Sequence, residues 1–156
     1  TEGAACSTLL AKEYIDNSNP LIIANSDQYI EWNSNQCMYA FSADDIDGGI
    51  ITFKAHHPKW SYAKLGTDGF VSEVAEKQVI SDNATCGVYY WKHGSDYVKY
   101  AEQMIKKNIR TNNEFYVAPV FNEAIGDGKK IRVKDVPKMW GIGTPEDLNY
   151  FLEHHK

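Results

Sequence analysis

No apolar run in this sequence approaches the roughly 20 residues that a membrane-crossing helix needs, so insertion into a bilayer is excluded. Nor is there a dense Lys/Arg stretch. With a formal net charge of −5, the chain lacks the basic stripe that a general nucleic-acid binder uses to track phosphates. Cysteine is scarce. Cys6, Cys37 and Cys86 are odd in number and far apart, with no Cys-x-x-Cys pair for zinc or redox work, and they read as reduced thiols of a cytoplasmic protein. There is no internal repeat and no low-complexity linker. Apolar residues at 43% and charged residues at 24% are the usage of an ordinary globular domain, and 156 residues suffice for one substantial core.

What is present centres on Leu21-Ile22-Ile23-Ala24-Asn25-Ser26-Asp27-Gln28. An unbroken apolar run ending in small polar residues and a carboxylate predicts a buried, parallel strand that delivers Asp27 to its carboxyl end. In open α/β sheets that edge is where ligands bind, so Asp27 is a candidate ligand for a divalent cation, the alternative being a plain turn cap after a core strand. Helical spacing from about Ala4 to Ile15, stopped by Asp16-Asn17-Ser18-Asn19-Pro20, predicts a helix feeding this strand. Gly3 just before it permits close approach of the backbone to a ligand.

Further along, Ser42 to Gly49 reads as a turn. Asp45-x-Asp47-Gly48 resembles the start of a calcium loop, but Gly49 stands at its fifth position and His56 at its twelfth, where a bidentate Glu is required. The same two acids could serve as the Asp-x-Asp of a metal-dependent glycosyltransferase. Ile50 to Phe53 predicts a strand, and His56-His57-Pro58-Lys59-Trp60 reads as a solvent-facing connection, with a phosphate or sugar contact as the alternative. Ser61 to Leu65 and Phe70 to Lys77 predict a hairpin about Gly66-Thr67-Asp68-Gly69. Strict alternation in its second arm would set Val71 and Glu73 on one face and Ser72, Val74 and Glu76 on the other.

Thr85 to Trp91 predicts an aromatic-rich strand. Then comes a helix capped by Ser95, with a core stripe of Tyr97, Val98, Ala101, Met104 and Ile105. A second helix carries Val117, Val120, Phe121, Ala124 and Ile125 and closes at Gly126-Asp127-Gly128. Ile131, Val133 and Val136 predict a strand. Thr144 then caps a final helix with Pro145 in its first turn and Leu148, Phe151 and Leu152 on its apolar face.

In their order and spacing these pieces resemble the sugar-phosphate nucleotidyltransferases, or nucleotide-sugar pyrophosphorylases. The likeness rests on Thr1-Glu2-Gly3-Ala4-Ala5, on Leu21 to Asp27, on Gly69 to Lys77, on Gly87-Val88-Tyr89-Tyr90, on Asn113-Glu114-Phe115-Tyr116 and on Trp140 to Glu146. The resemblance implies a glycosyltransferase-A-like α/β fold, a three-layer arrangement with a mixed, mostly parallel sheet flanked by helices. It implies an enzyme that joins a nucleoside monophosphate from a nucleoside triphosphate to a sugar phosphate, releasing pyrophosphate, in the synthesis of surface polysaccharide precursors.

In that reading Asp27 binds Mg²⁺ and, with Lys77, serves catalysis. Glu76 contacts the sugar, and Gly3, Asn25 and Gly69 lie against substrate. The expected partners are the two substrates, with no nucleic acid and no membrane insertion, and with self-association left open. Two departures from the family pattern stand out. Its glycine-rich nucleotide loop has no counterpart here, so the expectation is that residues 1–156 form the C-terminal part of a single catalytic domain, inactive alone. The family's second metal aspartate is replaced by Gly141, for which Asp135 is a candidate substitute. The alternatives are the Asp45/Asp47 glycosyltransferase and a non-catalytic nucleotide- or sugar-binding domain.

Overall fold

In the computed structural model, which describes residues 1–155, the organising element is β6 (Asn83–Trp91), buried along its whole length. One edge of β6 pairs antiparallel with β3 (Gly48–Lys54). Its other edge is divided between β4 (Tyr62–Leu65), which meets it at Ala84, and β1 (Leu21–Ala24), which runs antiparallel to it from Val88 to Trp91. β5 (Val71–Ala75) extends the sheet beyond β4, and β7 (Ile131–Asp135) lies beside β3. A second, two-stranded antiparallel sheet joins β2 (Gln28–Glu31) to β8 (Lys138–Gly141).

Helices lie on both faces. Against one pack α1 (Ala4–Leu9), α2 (Lys12–Ile15), α4 (Gly94–Lys106) and α5 (Val120–Gly126), around a core in which Trp91 stacks on Phe121 at 4.3 Å. On the other face Cys37 and Phe41 of α3 (Ser34–Ala43) meet Ile51, Tyr90, Val136 and Met139. Ile50 and Ile51 thus serve opposite layers, as alternation along a strand requires. α6 (Pro145–His154) covers the small sheet, Phe151 lying against Tyr29 and Trp140.

The layered mixed α/β architecture is as expected, but the sheet is not mostly parallel. Among the described residues only β3 and β7 pair in parallel. β1 is likewise an antiparallel edge strand rather than a buried parallel one. Leu21 and Ile23 pack on the core while Ile22 is half exposed, an alternation that an all-apolar tetrapeptide conceals. Gly48 and Gly49, read as turn, begin β3 because the Phe121 and Phe41 rings leave no space for a Cβ at either position. In the hairpin, Lys64 pairs with Glu73 and Leu65 with Val71, so Ser72 is the extra residue of a bulge. That bulge puts Val71 and Val74 both in the core, against the alternation expected for them. The helix expected from Ala4 to Ile15 breaks into two, and α4 starts at Gly94 with His93 rather than Ser95 in the cap position.

Candidate functional site

The site is built from the loop that follows β1. Asn25 continues the β1 register by donating its N–H to the Gly87 carbonyl at 2.8 Å. Gln28 then enters β2 opposite Gly141, and between them the Asp27 carbonyl accepts from Ile142 N at 2.9 Å. The loop is thereby clamped between the middle of β6 and the end of β8.

Two glycines make the clamp possible. A Cβ on Gly87 would lie 2.5 Å from the Asn25 amide and 2.9 Å from Gln28 Oε1. One on Gly143 would lie 2.5 Å from Asp27 Oδ2. Each polar side chain therefore rests on bare backbone, and Gly87, at φ +69°, also needs the left-handed freedom that glycine has.

These residues rim an open cavity of about 270 Å³. Its floor is a set of hydroxyls on Ser61, Thr85 and Tyr89, all close to fully buried. Ser61 Oγ donates to Glu76 Oε2, Thr85 N donates to Ser61 O at 2.8 Å, and Thr85 Oγ1 lies 3.1 Å from the Tyr89 hydroxyl. Burial raises the Glu76 carboxyl above the usual range, opposed by the Ser61 hydrogen bond and the Lys77 charge. Burial likewise pushes the Cys86 thiol at the cavity wall up to about 12, which disfavours its thiolate form.

Further lining comes from Lys59 and Trp60, just before Ser61, and from the start of α6. Thr144 Oγ1 caps α6 by accepting from Asp147 N at 3.1 Å, which sets Asp147 facing the cavity. Its Oδ2 lies 3.7 Å from where a Cβ of Gly141 would stand, and Lys59 Nζ bonds its Oδ1 at 3.1 Å. The Lys59 hydrogen bond holds the Asp147 carboxyl below the usual range. Lys59 also sits over the Trp60 ring, 4.6 Å from its centroid.

Asn25, Asp27 and Glu76 of the expected site thus come together, and Gly141 lies in the same wall. The others do not line this cavity. Lys77, in a left-handed conformation at φ 55°, turns away to donate to the Tyr116 hydroxyl at 2.6 Å. Gly69 closes the hairpin turn with Gly66. Gly3 packs on the Phe115 backbone, whose N–H and carbonyl bond Glu2 and Ala5. Asp135 accepts from Thr52 Oγ1 at the end of β7 and is not part of the lining that holds Gly141.

Nor do Asp45 and Asp47 form a joint metal site at this cavity. Asp45 is highly exposed, and Asp47 is bound by Lys129 Nζ at 3.1 Å and Lys130 N at 2.9 Å. Burial raises the Asp47 carboxyl, but those hydrogen bonds prevail and hold it below its ordinary value. Sequence reasoning passed over Gln28, Ser61, Thr85, Tyr89 and Asp147, and for the segment holding Lys59 and Trp60 it preferred a solvent-facing loop to a phosphate or sugar contact. The one local signal was the Thr144 cap, which orients the first turn of α6.

Among the described residues no three His, Cys, Asp or Glu side chains converge as a self-contained metal cage. Mg²⁺ requires less, being held by one or two carboxylates and substrate phosphates, and the oxygen donors of this rim fit it. No helix among the described residues is long and apolar enough to cross a membrane.

No protein-family model and no curated protein matches the sequence. Solved structures do. A nucleoside-diphosphate-sugar pyrophosphorylase from Vibrio cholerae RC9 aligns over 99% of this chain and 66% of its own, at TM-score 0.78 and 24% identity. A putative glucose-1-phosphate thymidylyltransferase from Bacillus anthracis aligns over 95% and 58%, at TM-score 0.74 and 14% identity. For the inositol-1-phosphate CTP transferase of T. maritima the shares are 97% and 60%, the TM-score 0.70 and the identity 19%. The chain spans less than two thirds of the length of each. Its fold, a mixed central sheet flanked by helices, is the one that these nucleotidyltransferase structures share.

Proposed function

We propose that the chain is the acceptor-binding and carboxylate-bearing part of the catalytic domain of a sugar-phosphate nucleotidyltransferase. The reaction joins a nucleoside monophosphate from a nucleoside triphosphate to a sugar phosphate and releases pyrophosphate, giving an activated sugar of the kind consumed in surface polysaccharide synthesis. The observation that carries this reading is the cavity beside Gly87, where Asp27, Asn25 and Glu76 converge in a fold common to three nucleotidyltransferase structures.

The chemistry of the lining supports the acceptor class. Two of the neighbours are named for glucose 1-phosphate and inositol 1-phosphate, which have in common a polyhydroxylated ring bearing one phosphate. The Ser61–Glu76 and Thr85–Tyr89 pairs present alternating donors and acceptors that match ring hydroxyls. Charge supports a divalent cation. Asp27, Glu76 and Asp147 face the cavity with Lys59 as their one lysine or arginine companion among the described residues, a balance that repels two phosphorylated substrates.

Mg²⁺ at Asp27 neutralises the nucleotide phosphates when bound. Asp27, seated on Gly143, sets where that charge lies, and Glu76 orients the acceptor ring. An acceptor phosphate oxygen then attacks the α-phosphorus in line, a new P–O bond forms, and the bond to the leaving pyrophosphate breaks. Lys77, next to Glu76, is bonded to the Tyr116 hydroxyl outside the cavity, and a part for it at the acceptor phosphate requires that bond to break.

The test is pyrophosphate release by the full-length protein, given a panel of nucleoside triphosphates with glucose 1-phosphate or inositol 1-phosphate. Asp27→Ala is expected to remove nearly all metal-dependent turnover. Retained activity with unchanged Mg²⁺ dependence would overturn the role of Asp27, and release of a nucleotide from a nucleotide sugar would replace the reading with a glycosyltransferase.

A further inference from the structure

Resting on the nucleotidyltransferase reading, one feature of the cavity goes beyond it. Lys77 is held out of the cavity by Tyr116, whereas Lys59 faces it. We infer that Lys59, held between the Trp60 ring and Asp147 in the cavity wall, is an anchor for the acceptor phosphate. Three observations support the assignment. The ammonium is fixed from two sides, by the 3.1 Å bond to Asp147 Oδ1 and by the ring 4.6 Å away, so little freedom is left to lose on binding. A lysine ammonium has three N–H donors, and the aspartate uses one of them. The Lys59 side chain keeps 43% of its surface exposed and lines the same cavity as the Ser61–Glu76 pair, two residues along the chain from Ser61, so a phosphorylated ring seated on that pair would have the ammonium within the same cavity.

Gly141 is part of the device. Without a Cβ there, Trp60 and the Asp147 carboxylate close over the strand, the ring lying 3.2 Å from the missing carbon's position. A pocket wall that offers no side chain at 141 thereby gains a lysine–aspartate pair standing above it.

The experiment is calorimetric titration of the full-length protein in EDTA, so that metal plays no part. The probes are glucose 1-phosphate, inositol 1-phosphate and inorganic phosphate, with glucose and inositol as uncharged controls. Lys59→Gln is expected to weaken the phosphorylated ligands about 10-fold or more, the worth of a hydrogen bond to a charged group, and to leave the uncharged ones unchanged.

Asp147→Asn decides between anchor and mere tether. Both variants break the same ion pair, so a structural role moves both in one direction. An anchor freed from its counter-charge binds phosphate at least as tightly as in wild type. Equal weakening by the two variants, or none by Lys59→Gln, overturns the assignment. Phosphate binding lost in Lys59→Gln without any pyrophosphate release by wild type would keep the anchor and remove the nucleotidyltransferase reading. Turnover with a Lys59→Gln affinity equal to wild type would do the reverse.

Discussion

Replacing Gly143 with alanine tests whether Asp27 works from its seat or merely occupies it. The added Cβ would stand 2.5 Å from Asp27 Oδ2, 3.2 Å from Cγ and 3.3 Å from Cβ. Ordinary carbon–oxygen contact begins near 3.4 Å, so the carboxylate must retreat by about 0.9 Å, the difference between the two distances. Backbone strain does not complicate the result, because Gly143 is not among the glycines of positive φ. Asp27 is exposed, and a substitution beside it should change global stability by no more than about 0.5 kcal/mol. A misplacement of about 1 Å in a reacting assembly costs about 100-fold in rate, or about 2.7 kcal/mol of transition-state stabilisation. The assay is pyrophosphate release across a Mg²⁺ titration, with Mn²⁺ binding followed by electron paramagnetic resonance. The expectation is a large fall in both with an unchanged melting temperature. Full metal-dependent turnover in Gly143→Ala would refute the reasoning, as would a loss of activity that merely follows a loss of folding.

Two further predictions concern stability. Gly3→Ala forces a side chain onto φ 127° and puts a Cβ 2.5 Å from the Phe115 carbonyl oxygen, so it should lower the unfolding free energy by about 2 kcal/mol or more; an unchanged urea midpoint would contradict that packing. For Glu76 the pH dependence has a definite sign. Its folded-state pKa is raised by burial, so ionisation penalises the folded form as pH climbs from the ordinary 4.5 through the raised value. Glu76→Gln should therefore melt higher than wild type at pH 7, with the gap closing as pH falls below 4.5, and a pH-independent gap would refute the linkage.

Which parts were legible in the sequence follows from the range of the interactions that determine them. The α6 start was plain because Thr144, Pro145 and two acids act within one turn. The hairpin and the α4 stripe are equally local. The direction of β1 was not, because Leu21-Ile22-Ile23-Ala24 reads the same whether its partner runs with it or against it. The β2–β8 sheet escaped notice since its two short strands acquire their meaning from α6 packing over them. In the site, Asp27 was legible as a carboxylate at a strand end, whereas Asn25 and Glu76 entered only through the family resemblance. Ser61, Thr85 and Tyr89 were not legible. Their hydroxyls look like ordinary strand residues until the bulged β3–β6 register near Gly87 brings them under the loop.

That bulged central strand also bears on how the chain folds. β6 takes its partners from residues 21–24, 48–54 and Tyr62, all earlier in the chain and separated from it by other elements. Closing those loops must precede the reward of pairing, which makes formation of this sheet slow compared with its helices. Until β6 docks, Gly87 has nothing to present to Asn25 and Gln28. The loop that carries Asp27 is held by β8 as well as β6, so it acquires its shape only once both long-range pairings have formed, and recovery of the metal binding proposed for it would report their completion.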